Sequence, residues 1–299
     1  MRVAIVVTFY PDINRLRQSL EIIASQVDFV LMVDNGSRLS KSSLEHLKEI
    51  KYLFITDLGD NTGLGHAINV GLIEARRLNA NYVVLFDQDS VPAKDMVHNL
   101  ICGYEQNSFN QKVAIIGPRF VDVVTNHLSQ HIRFENWCIR RIPCPENEHW
   151  VSTDFLITSG SLIPLSVLDD IGGMDESLFI DHVDTEWCLR AKSKGYELLG
   201  DCEALMEHDL GEYRKRIWFG RWREVPVHKP FRYYYIFRNS ILLYKRDYIP
   251  WAWIRIDMIR LIQIIGFTVF FGPQRFQKLR MMLRGLIDGL RGKSGKLDG

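Results

Sequence analysis

Five apolar residues in a row, Val3–Val7, give way at Thr8 to a polar stretch containing proline, and three similar alternations follow. Short apolar runs bounded by turn residues read as buried strands, and apolar residues three and four apart read as helices packed by one face. The pattern predicts strands over Val3–Thr8, Phe29–Val33, Tyr52–Ile55 and Tyr82–Phe86. It predicts helices over Asp12–Gln26, striped by Ile13, Leu16, Leu20 and Ile23, and over Ser42–Glu49, Gly65–Leu78 and Asp95–Glu105. The tetrapeptide Asp34-Asn35-Gly36-Ser37 is a turn that offers a helix cap. Strands and helices alternating across short links predict an α/β domain, a mostly parallel sheet with helices on both faces.

In such sheets ligands sit beyond the carboxyl ends of the strands. The polar clusters fall there: Thr8-Phe9-Tyr10-Pro11, Asp34-Asn35, and Asp87-Gln88-Asp89. After the third strand comes GDNTGLGHAINVG, residues 59–71, in which Asn61 can cap and Gly63 and Gly65 let the backbone approach a ligand. It is neither G-x-G-x-x-G nor a P-loop, so dinucleotide and P-loop chemistry lose their main support. Asp87 and Asp89 share a face if extended. They either hold a hard cation such as Mg²⁺ or Mn²⁺ through oxygen, or close a solvated turn. Two further polar strand ends beside them favour the cation.

The succession VTFYP, VDNGS, NTGLGHAINVG and LFDQDS resembles the nucleotide-sugar half of inverting family-2 glycosyltransferases of the GT-A fold, over roughly residues 1–245. The resemblance implies a Rossmann-like GT-A domain over residues 1–245, with a nucleotide-sugar half (1–110) and an acceptor half (111–245). Residues 246–299 follow as a basic, amphipathic helical extension. Thr8, Phe9, Tyr10 and Pro11 would line the nucleobase site, Asp34 would hold base or ribose, and Asn61, Gly65, Asn69 and Gln88 would fix the nucleotide. Asp87 and Asp89 would place Mg²⁺ or Mn²⁺ on the diphosphate, where a Lewis acid neutralises the leaving group. The N-terminus of the following helix can add backbone N–H groups.

Transfer to a hydroxyl also needs a proton acceptor, usually a carboxylate in sugar chemistry. Asp184 opens an apparent helix, where the dipole favours a carboxylate. Counting back from Arg190, the resemblance aligns Asp184 with the family's base and Glu186 with its second acid. Val183 stands where the family often has Glu, which leaves Asp181 as the alternative base, and Asp184 can also be read as a plain helix cap. Gly160 and Ser161 in TSGSLIP resemble the loop beneath the acceptor sugar. His208 matches a family position near the metal or diphosphate. FRYYYIFRNS resembles a closing Arg-Tyr-Tyr…Arg-Asn signature, in which Arg232 and Arg238 meet phosphate or stay in surface ion pairs.

The net charge of +1 conceals an asymmetry: 19 Lys/Arg against 6 Asp/Glu from Glu212 onward, and 18 against 30 before it. A basic tail suggests an anionic partner. The apolar run Ile264–Gly272 is too short to span a bilayer. With Trp251, Trp253, Lys278, Arg280, Arg284 and Arg291 the tail reads as a membrane-interface element, or as a helical pair folded on the body, or as a homodimer contact. A membrane surface suits an acceptor carried on a lipid diphosphate. The five cysteines form no C-x-x-C pair, which fits a reduced cytosolic setting without structural zinc. The first residues lack the length of a signal peptide, so a cytoplasmic protein, peripheral on the inner face of the membrane, is expected. Processive synthases of similar sequence carry Gln-x-x-Arg-Trp; here Trp218 precedes Arg221-Trp222, which points to single addition. FIDHVDTEWCLR, with the basic tail, is most similar to bacterial rhamnosyltransferases of the family, which use dTDP-L-rhamnose to build O-antigen and related surface glycans; a UDP-sugar stays open. A sugar nucleotidyltransferase would want a basic glycine-rich loop that VTFYPDINR does not supply. A lipid or nucleic-acid binder without activity is the other rival, and no nucleic-acid partner is expected.

Overall fold

The computed structural model describes residues 1–108, 111–122, 127–208, 214–218 and 222–297. The first half is built of β1 (Arg2–Thr8), α1 (Ile13–Ala24), β2 (Phe29–Asp34), α2 (Lys41–Lys48), β3 (Leu53–Asp57), α3 (Leu64–Arg77), β4 (Tyr82–Asp87), β5 (Ser90–Pro92) and α4 (Met96–Ser108). The second half adds β6 (Val113–Asp122), β7 (His127–Leu128), the hairpin β8 (His131–Glu135) and β9 (Cys138–Ile142), β10 (Trp150–Thr153), β11 (Leu162–Pro164), α5 (Leu165–Ile171), α6 (Val183–Ser193) and β12 (Glu197–His208). A second hairpin, β13 (Arg214–Trp218) and β14 (Trp222–Pro226), leads to α7 (Pro230–Tyr244), α8 (Trp251–Phe271) and α9 (Arg275–Leu290).

The main sheet runs β10-β12-β6-β11-β4-β1-β2-β3, parallel from β4 to β3 and between β6 and β12. The α/β, mostly parallel architecture read from the sequence is the one found. Alternation along each strand splits the core between the two faces. Val3 and Ile5 of β1 join Val83 and Leu85 of β4 on the side covered by α3, α5 and α6. Ala4 and Val6 join Val84 and Phe86 on the side covered by α1, α2 and α4. Short β11 lies antiparallel between β4 and β6, so the chain crosses from the first half of the sheet to the second beside the end of β4.

Three local expectations are corrected. Asp34-Asn35-Gly36-Ser37 caps no helix: α2 begins at Lys41 behind Ser40, whose hydroxyl accepts from the Ser43 amide. Asn61 does not cap α3 either; Gly63 holds that position, and Asn61 Oδ1 accepts from its amide at 3.1 Å. The cysteines are not all thiols, since Cys144 and Cys202 form a disulfide. They lie 58 residues apart in the chain, and it is the antiparallel pairing of β10 with β12 that brings them together, a juxtaposition no local spacing encodes. Cys102, Cys138 and Cys188 are free.

The C-terminal helices fold back on the body. Met282 and Leu279 of α9 pack on Tyr233 and Phe237 of α7, with Leu261 of α8 completing the layer. Among the described residues no helix is long and apolar enough to cross a membrane.

Candidate active site

A cleft of about 870 Å³ opens at the carboxyl ends of β1 and β4 and is closed on its far side by the start of α6 and by α7. One wall is made by interlocked turns. The Asp34 carboxylate accepts from the Thr8 hydroxyl at 2.9 Å, the Ser37 amide at 2.8 Å and the Ser37 hydroxyl at 2.5 Å. That fixes the turn after β2, whose Gly36 (φ +87°) lies so close to Asp60 that a Cβ there would sit 2.4 Å from its carbonyl carbon. Asn35 then reaches across: its Oδ1 accepts from the Thr62 amide at 2.9 Å, and its Nδ2 donates to Asn61 Oδ1 at 3.2 Å. Gln88 ties β4 to β1 by accepting from the Phe9 amide at 2.7 Å. Thr8, Phe9, Asn35, Asn61 and Gln88 therefore face the cleft as one rigid set.

The opposite wall is residues 179–184, and its backbone is strained. Phe179, Asp181 and His182 all have φ between 63° and 65°, a region costly for non-glycine residues. Asn239 of α7 holds them there, its Nδ2 donating to the carbonyls of Leu178 (3.0 Å), Ile180 (2.8 Å) and Asp181 (2.9 Å). The Phe179 carbonyl accepts from the Leu64 amide at 2.7 Å, which docks this loop onto the start of α3. Asp184 follows in the first turn of α6 and lines the cleft, half-buried. Burial pushes its carboxyl up to about 6; the Thr185 amide, donating at 2.8 Å, pulls the other way, while the nearby carboxylates of Asp181 and Asp87 push further up. A carboxyl tuned toward neutral pH suits a general base.

The structure thus brings Thr8, Phe9, Asn61, Asp87, Gln88, Asp89, Asp181, Asp184 and Arg232 to one cleft. It turns several other candidates to structural work. Asp34 is buried and its carboxylate is spent on Thr8 and Ser37. Tyr10 and Pro11 lie outside the cleft lining, with Tyr10 exposed and its amide donating to Ser37 Oγ. Gly65 packs on the backbone of Asp175, and Asn69 clasps Met174 and Glu176, so both brace the segment that leads into residues 179–184 against α3. Gly160 lies under Pro118 and Met206, and the Ser161 hydroxyl donates to the Ile157 carbonyl at 2.6 Å. Glu186 is buried in a network with Arg190, Arg246 and the Tyr248 hydroxyl. Arg238 is fully buried and donates to Asn239 Oδ1 and to the carbonyls of Leu178 and Gly295, so it meets neither a phosphate nor a surface ion pair. Arg232 keeps a cleft position and pairs with Asp181 at 2.9 Å. The backbone of His208 pairs with Ser90 and Asp122; its side chain, like Arg221, lies outside the described residues. Sequence reasoning missed Thr158, His182, His228 and Phe231 as cleft residues, and it marked Asn35 only as part of a polar strand end, with no role of its own. Only Asn35 carried a signal, being part of the Asp-Asn-Gly-Ser turn.

Asp87 and Asp89 form an oxygen-only pair at the end of β4. Among the described residues no group of three or more His, Cys, Asp or Glu is assembled for a metal ion. Two carboxylates on an open cleft wall suit Mg²⁺ or Mn²⁺, which commonly leave their remaining positions to water and substrate phosphate.

A mostly parallel sheet whose strand ends open on a cleft of this size, acidic on both walls, suits an enzyme that binds a nucleotide and a cation. Residues 4–172 match the family described as Glycosyl transferase family 2, and the chain belongs to that family: it is a glycosyltransferase. The chain is 28% identical over 295 residues to the dTDP-rhamnosyl transferase RfbF of Shigella flexneri, covering 98% of this chain and 96% of that one. Among solved structures it is similar to S. aureus TarS 1-349 in complex with UDP-GlcNAc (TM-score 0.59, 14% identity, 97% of this chain and 81% of that one). It is also similar to GalNAc-T7 with UDP, GalNAc and Mn²⁺ (TM-score 0.59, 12% identity, 88% and 54%). These structural likenesses carry the GT-A fold.

Proposed function

We propose that this chain is a metal-dependent inverting glycosyltransferase that moves L-rhamnose from dTDP-L-rhamnose to a hydroxyl of a lipid-linked glycan in bacterial surface polysaccharide synthesis. The observation that carries it is the cleft with Asp184 on one wall and Asp87 and Asp89 on the other. Asn35, Asn61 and Gln88 would position the nucleotide. Asp184 takes the proton of the acceptor hydroxyl as its oxygen attacks the anomeric carbon from the face opposite the diphosphate, which inverts the configuration. Asp87 and Asp89 would hold Mg²⁺ or Mn²⁺, which when bound supplies Lewis-acid neutralisation of the leaving diphosphate. The Mn²⁺ in the GalNAc-T7 structure supports the metal by likeness of fold. The donor reading is supported by near full-length similarity to RfbF; a UDP-sugar is the second reading, favoured by the UDP-GlcNAc complex of TarS.

The acceptor reading is supported by the C-terminal helices. Trp251, Met258, Ile262 and Val269 lie exposed along α8, and Phe276, Leu283, Ile287 and Leu290 along α9. Both sets repeat at helical spacing, one outward stripe per helix, and Arg275, Arg280, Arg291 and Lys293 are exposed beside them. Apolar stripes with basic flanks suit an anionic membrane surface, the face a peripheral protein on the inner leaflet would meet.

Calorimetry with dTDP-L-rhamnose, UDP-glucose and UDP-N-acetylglucosamine, each with Mn²⁺ or with chelator, tests the donor site. The expected result is tightest binding of dTDP-L-rhamnose with Mn²⁺, lost in Asp87→Asn and Asp89→Asn. Tighter binding of a UDP-sugar moves the donor to the second reading. Binding unchanged in both variants removes the metal site.

A further inference from the structure

His182 lines the cleft two residues before Asp184, yet its ring is anchored from behind. Nε2 is turned into α7 and α8, with Arg260 Nη2 at 2.9 Å and the Ser240 hydroxyl at 3.2 Å. Arg260 is itself held by buried Asp257, which accepts from its Nε at 2.9 Å and from the Tyr244 hydroxyl at 2.7 Å. Trp253 of α8 packs edge-on against the imidazole at 5.6 Å. A guanidinium has only donors, so Nε2 must be the accepting nitrogen, and a neutral ring that accepts at Nε2 carries its hydrogen on Nδ1. Among the described residues nothing hydrogen-bonds Nδ1. Burial, then the charge of Arg260, pushes the imidazolium down to about 4, against the opposing pull of Asp257 and Asp181. The ring is therefore neutral at the pH at which Asp184 ionises.

We infer that His182 presents a fixed Nδ1–H to the cleft as a hydrogen-bond donor for a hydroxyl of the acceptor sugar, with Arg260 as the positioning residue that sets the tautomer. His182 lies in the cleft lining with its chain neighbours Asp181 and Asp184 and with Arg232, which pairs with Asp181; with Asp184 as the base, that places it beside the acceptor rather than the nucleotide. The inference rests on Asp184 being the base, because that role brings the acceptor to this wall. The ligand class follows from the surroundings. Asp181 is already paired with Arg232, an anion would meet Asp184 and a cation would meet Arg260, so a neutral hydroxyl fits best. Through Arg260, a helix beyond the residues matched by the family reaches the reaction centre.

The first test is the tautomer in the intact chain labelled with ¹⁵N-histidine. The His182 resonances, assigned by their loss in His182→Asn, are expected to show a protonated Nδ1 and a bare Nε2 at about pH 7, and Arg260→Gln to mix the two tautomers. A protonated Nε2 or an imidazolium overturns the inference. The second arm measures transfer to p-nitrophenyl monosaccharides, using the donor that binds in calorimetry. His182→Ala is expected to lower kcat/KM for the acceptor about tenfold with donor KM unchanged, the loss of one directed hydrogen bond. His182→Asn, whose amide N–H occupies the place of Nδ1 and which tolerates left-handed backbone, should stay within about threefold. His182→Gln, which keeps only the place of Nε2, should fall with His182→Ala; rescue by Gln and not by Asn overturns the assignment. Asp184→Asn is run alongside. If it retains transfer, the base reading fails while the tautomer result stands. A protonated Nε2 with Asp184→Asn inactive removes His182 alone.

Discussion

Asp184 carries opposing demands of burial and charge in one side chain. Its carboxyl is pushed up to about 6, first by burial and then by Asp181 and Asp87. The proton-accepting form therefore appears only as pH passes that value. Transfer should rise about tenfold per unit on the acid side and level off above it. A divalent ion on Asp87 would cancel one of the raising charges, so the metal-loaded limb is expected at or below about 6. The same shift has a stability consequence. Because the folded pKa lies above the unfolded value near 3.8, the stabilising contribution is complete below that value and is lost as pH rises through 6. Asp184→Asn should abolish transfer while being more stable than wild type at neutral pH, by about 1–2 kcal/mol given that the carboxyl opens on the cleft. The gap should close toward pH 4. Melting curves at the two pH values check this, and a variant that melts lower at neutral pH would mean that burial is not what tunes the residue.

Among the elements, the loop 177–182 and helix α7 show where local pattern stops being informative. Helices α1, α3 and α4 and strands β1–β4 were legible because each is written in its own periodicity. The cleft residues Thr8, Asn61 and Asp87 were legible because strand ends in a parallel sheet are where ligands sit. The roles of Arg238 and Asn239 were not. A basic residue in a Tyr-rich stretch reads equally as a phosphate ligand or a surface ion-pair partner, and only tertiary packing shows the Arg238 guanidinium spent on buried carbonyls. The same holds for Glu186, whose acidic neighbours hide a buried network with Arg190 and Arg246. The clamp explains how three left-handed residues persist, each costing about 1–3 kcal/mol on its own. Asn239→Ala removes the donor shared by three carbonyls. It should cost about 2–4 kcal/mol of stability and lower kcat, since Asp184 follows directly on the loop that loses its support. Thermal denaturation with steady-state kinetics checks both. A kcat left intact would mean that the loop holds its geometry without α7.

At the scale of the whole molecule, the C-terminal extension joins the surface to the site. Behind its outward stripe, α9 covers Tyr233 and Phe237 of α7, and the segment after it returns to the loops around the cleft. Gly295 donates to the Ser177 carbonyl at 2.6 Å, Leu297 to the Tyr235 hydroxyl at 2.8 Å, and Lys296 pairs with Asp60 at 3.1 Å, next to Asn61. Deleting residues 248–299 would therefore uncover α7 and confound lipid binding with unfolding. Point changes on the outer stripe separate the two. Phe276 is 78% exposed and Leu283 58%, so replacing both with Asp removes apolar contact and adds repulsion without opening the core. The intact chain should co-sediment with vesicles holding about a third anionic lipid and much less with neutral ones, each interfacial basic residue adding about 1 kcal/mol at low salt. Phe276→Asp with Leu283→Asp should lower that partition at least about tenfold, with nucleotide-sugar binding and melting temperature unchanged. If the stripe is instead a subunit contact, sedimentation velocity will show a dimer that the double variant splits, with vesicle partition unaltered. That outcome would remove the support the outer stripe lends to a lipid-linked acceptor.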